Sequence, residues 1–481
     1  MKETRSIDAR AVFDAHPFAE VILSRLEEAG HRAVLIGGVV RDGLLAQLER
    51  AVTFPPRDVD IATSALPDEI RGLFSDCVIV GVGEEFGVLK IVAPDGRPYE
   101  VATFRVEGEY DGRWPGRVDL VRDLEGDVLR RDLTVNGLAA TRTGVVIDLV
   151  GGAEDLVARR IRAIGDPVRR FGEDHLRMLR AVRFACQIGG DIDSATARAI
   201  AAHADSIQSV SNERIGEEFT RLLRTERAAR GLSLLDELGL LKHLLPELTA
   251  CKGVPQPEEY HPEGDVLVHT LAAVGVADAL ISDPIVKFAV VLHDIGKPDA
   301  LERSGGVNMG GHCAVGARKV REIGRRFRLS RQDAGRLEYL VRHHMRIAAF
   351  PDMGRGKQVR FVSEGGDDST AELRGRYGLF FDLLQLLVVD CEASAHRSSG
   401  WAPILRETIG VVEHIDLVCG LSRARELING HDLFDLGLRP GPRLGEVLDA
   451  VHDQILAGRL ATRQAALDEA RRLISEPDRA A

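Results

Sequence analysis

The sequence predicts an α+β fold, a small mixed-sheet head followed by an all-helical remainder. Short apolar runs with strand periodicity lie before Gly151-Gly152. Beyond that pair, apolar residues recur at helical spacing, as at Leu176, Leu179 and Val182. At 481 residues the chain is too long for one core. The expected division is a mixed-sheet head over 1–155, helical segments over 156–250 and 251–410, and a helical tail over 411–481.

The head opens with an amphipathic helix, spaced by Phe18, Val21, Ile22, Leu23 and Leu26 and stopped near Gly30. Ala33-Val34-Leu35-Ile36 reads as a strand, Gly37-Gly38 as a turn, and Val39 to Leu45 as a helix start. A strand, a glycine turn and a helix start aim free backbone N–H groups at one spot, which suits a triphosphate. Arg41 adds a permanent cation in the first helical turn. In Arg57-Asp58-Val59-Asp60-Ile61-Ala62, two carboxylates alternate with two apolar side chains. Strand geometry then puts Asp58 and Asp60 on one face. Adjacent carboxylates repel unless a cation lies between them, so the pair reads as a Mg²⁺ site. Together with the phosphate cradle, it supplies the parts of a nucleotidyl-transfer centre.

Three further strands are expected at Cys77–Val80, Val88–Val92 and Tyr99–Phe104, the last carrying Glu100. The Gly-rich stretch 107–116 reads as a loop holding Tyr110 and Trp114. In Leu129 to Leu138, Arg130, Arg131, Asp132 and Asn136 share apolar surroundings, so they are not all solvated. From Phe171 to Ala185 one helix is expected, with Asp174 and Arg177 on the same side. That pair reads either as a surface ion pair or as a reader of base edges. A carboxylate accepts from an exocyclic amine, and a guanidinium donates to ring nitrogen and carbonyl oxygen. Arginines concentrate from Arg159 to Arg183, and again from Arg318 to Arg328.

The chain is helical from about Leu232, with Pro and Gly punctuation near Gly253–Pro257. A second constellation follows: Tyr260-His261-Pro262-Glu263-Gly264-Asp265, His269, and His293-Asp294 closing the apolar run Val290-Val291-Leu292. Asp390 is an acid in another apolar stretch and needs a partner there. Imidazole and carboxylate ligands suit Mn²⁺, Ni²⁺, Fe or Mg²⁺ more than a structural zinc.

Leu35-Ile36-Gly37-Gly38-Val39-Val40-Arg41-Asp42, followed by Asp58-Val59-Asp60, resembles the class II CCA-adding enzyme and bacterial poly(A) polymerase family. These have a polymerase-β-like nucleotidyltransferase head, and the likeness continues in order for most of the chain. The resemblance implies Mg²⁺ at Asp58 and Asp60, with Glu100 as a third acid. It implies triphosphate and ribose contact by Arg131, Asp132 and Asn136 beside Gly37, Gly38 and Arg41. It makes Ile147 to Leu156 a hinge, freed by Gly151-Gly152, into a helical neck. There Glu173, Asp174 and Arg177 would act as a protein template for CTP and then ATP, with Arg180 and Arg183 also on the nucleotide. Asn212 to Phe219 resembles the next neck motif, and a loop at 107–116 goes with addition of the terminal A. His269, His293, Asp294 and Asp390 match the HD phosphohydrolase pattern, with His312 and one of His343 and His344 completing a second metal position. Leu427 to Leu433 and Leu438 to Gly445 resemble tail segments that, in relatives, hold the tRNA elbow.

A net charge of −11 argues against indiscriminate nucleic-acid binding, although the arginine clusters leave room for RNA. Six cysteines with no CxxC pair read as reduced core residues of a cytoplasmic protein. No apolar run approaches a membrane span, and Met1 to Arg5 lead into no signal core. The expected activity is therefore tRNA 3′-end extension from CTP and ATP with Mg²⁺. A phosphohydrolase with its own transition metal or Mg²⁺ would occupy the helical half. A poly(A) polymerase or A-only adenylyltransferase is the rival within the class. A hydrolase with a degenerate head is the rival outside it.

Overall fold

The computed structural model describes residues 5–49, 58–81, 86–108, 110–111, 114–115, 118–366, 373–395, 397–417 and 420–475. The chain forms two compact units, Met1–Pro246 and Glu247–Ala481. Arg57 and Cys419 lie outside the described residues.

In the first unit, helices Ala9–Ala15 and Pro17–Glu28 precede the sheet. Asp8 caps the first by accepting from the Arg10 and Ala11 N–H groups. Seven strands follow: β1 Ala33–Ile36, β2 Asp60–Thr63, β3 Val78–Gly81, β4 Val88–Val92, β5 Pro98–Thr103, β6 Leu138–Ala140 and β7 Val146–Asp148. Their order is β7-β6-β1-β2-β5-β4-β3. Neighbours run antiparallel except β2 and β5, which are parallel. The sheet is mixed and confined to this unit, so the α+β class holds. Strand β1 is buried at every position, which is why it reads as a continuous apolar run. Its Val34 and Ile36 share a core with Ala62, Phe104, Leu124, Val128 and Ala139.

Three local expectations are corrected. The stretch 107–116 is no plain loop: Arg105–Glu107 pairs antiparallel with Val118–Leu120, and Tyr110–Asp111 with Trp114–Pro115. The flanking β-formers Val106 and Val118 lie in strands that pair across the stretch and outweigh its glycines as local signals. The side chains of Tyr110 and Trp114 lie outside what is described. The segment 147–156 is anchored rather than free. Asp148 accepts four N–H groups, from Val150 to Ala153, and a Cβ on Gly152 would come 2.0 Å from the Thr134 carbonyl oxygen. Gly152 thus permits close packing. Finally, Phe171 to Ala185 forms two helices, Pro167–Glu173 and Leu176–Ile188, broken at Asp174 and His175.

The described elements of the second unit are all helices. No helix among the described residues is long and apolar enough to cross a membrane. Cys186, Cys251 and Cys391 are buried, whereas Cys77 and Cys313 are half-buried and so are not core residues; all five are free thiols.

Candidate functional site

Gly37 precedes the helix Gly38–Leu48 with φ 73° and ψ −121°, a backbone state that glycine adopts without strain. No side chain caps that helix. Both glycines line a cavity of about 1080 Å³ within the first unit. Behind them runs a chain of buried polar contacts. Arg41 donates to Asn136 Oδ1 at 2.6 Å and to Asp42 at 2.7 Å. The Asn136 amide donates to Asp132 Oδ1 at 3.2 Å, and Arg180 Nε donates to Asp132 Oδ2 at 2.7 Å. Burial would push the Asp132 carboxyl up. The Arg180 charge, with hydrogen bonds from Arg180, Asn136 and the Leu133 N–H, outweighs it and holds Asp132 far below the usual carboxylate range.

Asp58 and Asp60 face outward while Val59 and Ile61 are buried. The strand proper begins only at Asp60. Parallel pairing sets Asp60 beside Glu100. The Asp60 carboxyl is pushed up by the protein packed around it, then by Glu100 and Asp58, against a pull from Arg131. Both aspartates line the cavity; Glu100 does not, and its carboxylate pairs with Lys90 at 3.0 Å. Arg130 and Arg131 are both held by the buried Asp127, at 2.6 and 3.0 Å, a residue the sequence did not single out. Its partners lie one helical turn away, a spacing too common to stand out.

Asp174 and Arg177 both line the cavity, and each has a partner of its own. Asp174 accepts from Arg214 at 2.6 and 3.1 Å and from the Leu176 N–H, capping the helix Leu176–Ile188. Arg177 donates to Glu173 at 2.6 Å and to the Arg130 carbonyl at 3.2 Å. Arg183 pairs with the buried Glu218. The guanidinium carbons of Arg183, Arg41 and Arg180 lie 3.8, 4.8 and 5.4 Å from the Phe184 ring centre, within cation–π range. Arg214, Arg221, Arg224 and Arg227 extend the lining. Of the head and neck residues assigned to the metal and the nucleotide, all except Glu100 and Glu173 therefore meet at one cavity.

In the second unit, buried His269 places Nε2 2.9 Å from Asp390 Oδ1 and Nδ1 2.6 Å from Glu263 Oε1. His293 Nε2 is 3.2 Å from Asp294 Oδ2, and Lys297 Nζ is 2.6 Å from the same oxygen. Asp294 Oδ1 is 3.4 Å from His312 Nε2 and 3.8 Å from His344 Nε2. His344 thus faces Asp294. His343 does not: it lies on the outer side of the turn, its ring 4.6 Å from Tyr339. Burial pulls His293 down, but Asp294 and then Asp390 outweigh it and push the ring up to about 9. Burial, then His293, pulls His344 down to about 4. The same cations and histidines hold Asp294 well below the usual range despite its burial. Donors of this kind fit a divalent cation.

A glycine turn stands beside paired acids on a mixed sheet, and residues 33–162, which carry both, match the family described as the Poly A polymerase head domain. Residues 190–252 match the probable RNA and SrmB-binding site of polymerase A, and 421–470 the tRNA nucleotidyltransferase domain 2. Over 33–162 and 190–252 the chain is thus similar to two domains of poly(A) polymerase-type proteins. The chain is 42% identical over 227 residues to a CCA-adding enzyme of Leuconostoc citreum, covering 47% of this chain and 54% of that one. To a CCA-adding enzyme of a Geobacillus species it is 44% identical over 224 residues, covering 46% and 53%. The chain spans about half the length of the curated relatives it matches. Along almost its full length it is similar to the Bacillus stearothermophilus CCA-adding enzyme in complex with CTP, at TM-score 0.64 and 26% identity, covering 95% and 98% of the two chains. The Thermotoga maritima CCA-adding enzyme complexed with tRNA shares the fold at TM-score 0.60 and 17% identity, covering 99% and 100%.

Proposed function

We propose that this chain is a tRNA nucleotidyltransferase that extends the 3′ end with C and A from CTP and ATP. One observation carries the proposal: a single cavity joins the Gly37-Gly38 turn, the Asp58 and Asp60 carboxylates, and the Asp174 and Arg177 pair. The glycine turn and Arg131 would take the triphosphate, and Arg41, Asn136 and Asp132 would fix the sugar end. Asp174, clamped by Arg214, would accept from an exocyclic amine, and Arg177 would donate to the ring edge. Cytosine and adenine share that amine; uracil and guanine do not present it there. The crowding of Asp60 by Glu100 and Asp58 fits a site for Mg²⁺. When bound, the ion would activate the primer hydroxyl and steady the departing pyrophosphate. The names of the relatives, with CTP on one of them, support this substrate class. In this proposal the head covers 1–155 and the nucleotide-selecting neck 156–250. Incubation with tRNA lacking its end and each labelled nucleotide in turn, followed by sequencing, tests it. A CCA end is expected. Tracts of A or a single A would favour a poly(A) polymerase or an A-only enzyme.

A second activity is proposed for residues 251–410, with 411–481 as a tRNA-holding tail. The buried cluster of His269, His293, Asp294 and Asp390 supports a metal-dependent phosphohydrolase. RNA ending in a 2′,3′-cyclic phosphate or 3′-phosphate is the test substrate. A head with its glycine turn and acids in place argues against the alternative of a hydrolase with a degenerate head.

A further inference from the structure

Cys313 stands beside the second unit's histidines with no role assigned so far. Its Sγ lies 3.6 Å from His312 Nε2. Sγ and the reachable nitrogens of His312 and His344 all fall within 4.8 Å of one another. Each of these two rings has Nδ1 against a backbone carbonyl, Met309 at 3.0 Å and Val341 at 2.8 Å. A carbonyl only accepts, so each Nδ1 carries the proton. In the neutral rings both Nε2 atoms then present lone pairs, and they do so 3.2 Å apart. Lone pairs that close need a cation or a shared proton between them.

The spacing favours a cation. Bonds of about 2.0–2.1 Å to imidazole nitrogen and about 2.3 Å to thiolate sulfur set neighbouring tetrahedral donors about 3.3 Å apart for N–N and about 3.6 Å for N–S. The corresponding separations here are 3.2 and 3.6 Å. Asp294 Oδ1, 3.4 and 3.8 Å from the two nitrogens, offers an oxygen to the same ion. Cys313 is only half-buried, which leaves an entry route. A carbon side chain would pack here as well as a thiol; a sulfur 3.6 Å from one oriented imidazole nitrogen and within 4.8 Å of a second is what needs an explanation.

We propose that His312, Cys313 and His344, with Asp294, form a thiolate-containing site for a thiophilic divalent ion such as zinc, in preference to magnesium. This rests on the metal-dependent reading of the second unit and goes further by naming a sulfur ligand and the class of ion it selects. The thiol proton leaves to solvent as the sulfur–metal bond forms, and no oxidation is involved. Soft sulfur ligands discriminate against magnesium, which takes oxygen donors.

Cobalt(II) titration of the full chain, stripped of metal and kept under reducing conditions, tests this directly. The wild type should show the visible bands of bound cobalt together with a near-ultraviolet thiolate-to-cobalt band. Cys313→Ser should lose the near-ultraviolet band, and zinc should displace cobalt where magnesium does not. Bound zinc should also protect Cys313 from alkylation, read by mass spectrometry on the wild type. Visible bands without the near-ultraviolet band, or that band unchanged in Cys313→Ser, would overturn the sulfur ligand while leaving a histidine metal centre. If His344→Ala keeps both cobalt bands of the wild type, the site at His312, Cys313 and His344 falls, whereas a wild type that binds no cobalt at all would sink this unit's metal reading.

Discussion

At Asp60 the chain keeps a charge that folding alone disfavours. Its carboxyl is raised by its surroundings, Glu100 and Asp58. A carboxylate with a raised folded-state pKa lowers stability once pH exceeds that value, and the penalty is absent below the unfolded value. Asp60→Asn should therefore raise the thermal midpoint at neutral pH and leave it little changed near about pH 4. The same variant should abolish incorporation of both C and A. A lower midpoint at neutral pH would contradict the electrostatic account. Arg177→Ala should erode preference for CTP and ATP over UTP and GTP by about 1–3 kcal/mol, with tRNA affinity kept; competition between nucleotides measures it. Asp58 and Asp60 were legible because strand periodicity is written in neighbouring letters. Arg214 was not, because its partner Asp174 is 40 residues away and nothing local marks an arginine that will clamp a carboxylate.

Elements were legible where periodicity was undisturbed. Strands β1 to β5 fall where their apolar runs predict, to within a residue or two. Strands β6 and β7 were hidden, since each is only three residues long, Leu138–Ala140 following directly on a 3-10 turn capped by Gly137 and β7 lying at the edge. The break at Asp174 was also unreadable, because the apolar face runs on through it. That break has a use: it turns Asp174 out of helical geometry, at φ −152° and ψ 108°, where Arg214 reaches it from the helix Asn212–Leu223. Arg214→Ala should leave that helix folded, since the side chain caps nothing. It should lower discrimination between ATP and GTP while single-nucleotide KM values for ATP rise. Unchanged discrimination would show that Asp174 needs no clamp.

At the scale of the whole molecule, the proposed functions give the two units separate chemistries. Asp294→Ala should abolish metal-dependent hydrolysis of a 2′,3′-cyclic phosphate yet leave nucleotide addition to a clean 3′-hydroxyl nearly intact. Asp58→Ala should do the reverse. A terminal phosphate blocks the hydroxyl that extension needs, which gives one chain a reason to carry both centres. Loss of nucleotide addition in a well-folded Asp294→Ala protein would refute the separation. Removing Asp294 leaves Lys297 with the Gln256 amide oxygen but without the Asp294 carboxylate, so a thermal melt should accompany each assay.

The cavity's arginines also bear on how the protein meets a polyanion in salt. Arg131, Arg177, Arg180, Arg183 and Arg214 each already hold a carboxylate of this chain. Among the described residues Arg224 and Arg227 do not. A phosphate arriving at a compensated arginine exchanges one fixed anion for another and frees few condensed counterions from the nucleic acid. The logarithm of affinity falls with the logarithm of salt by about 0.7 per phosphate neutralised on a single strand. Arg41, Arg130 and Arg221 are likewise paired within the chain, so for an oligonucleotide confined to this cavity the slope should be nearer that of two ions than of ten. Filter binding across a potassium chloride series measures it. An enzyme so arranged, with a net charge of −11, would recognise its RNA by geometry and keep its grip as ionic strength changes.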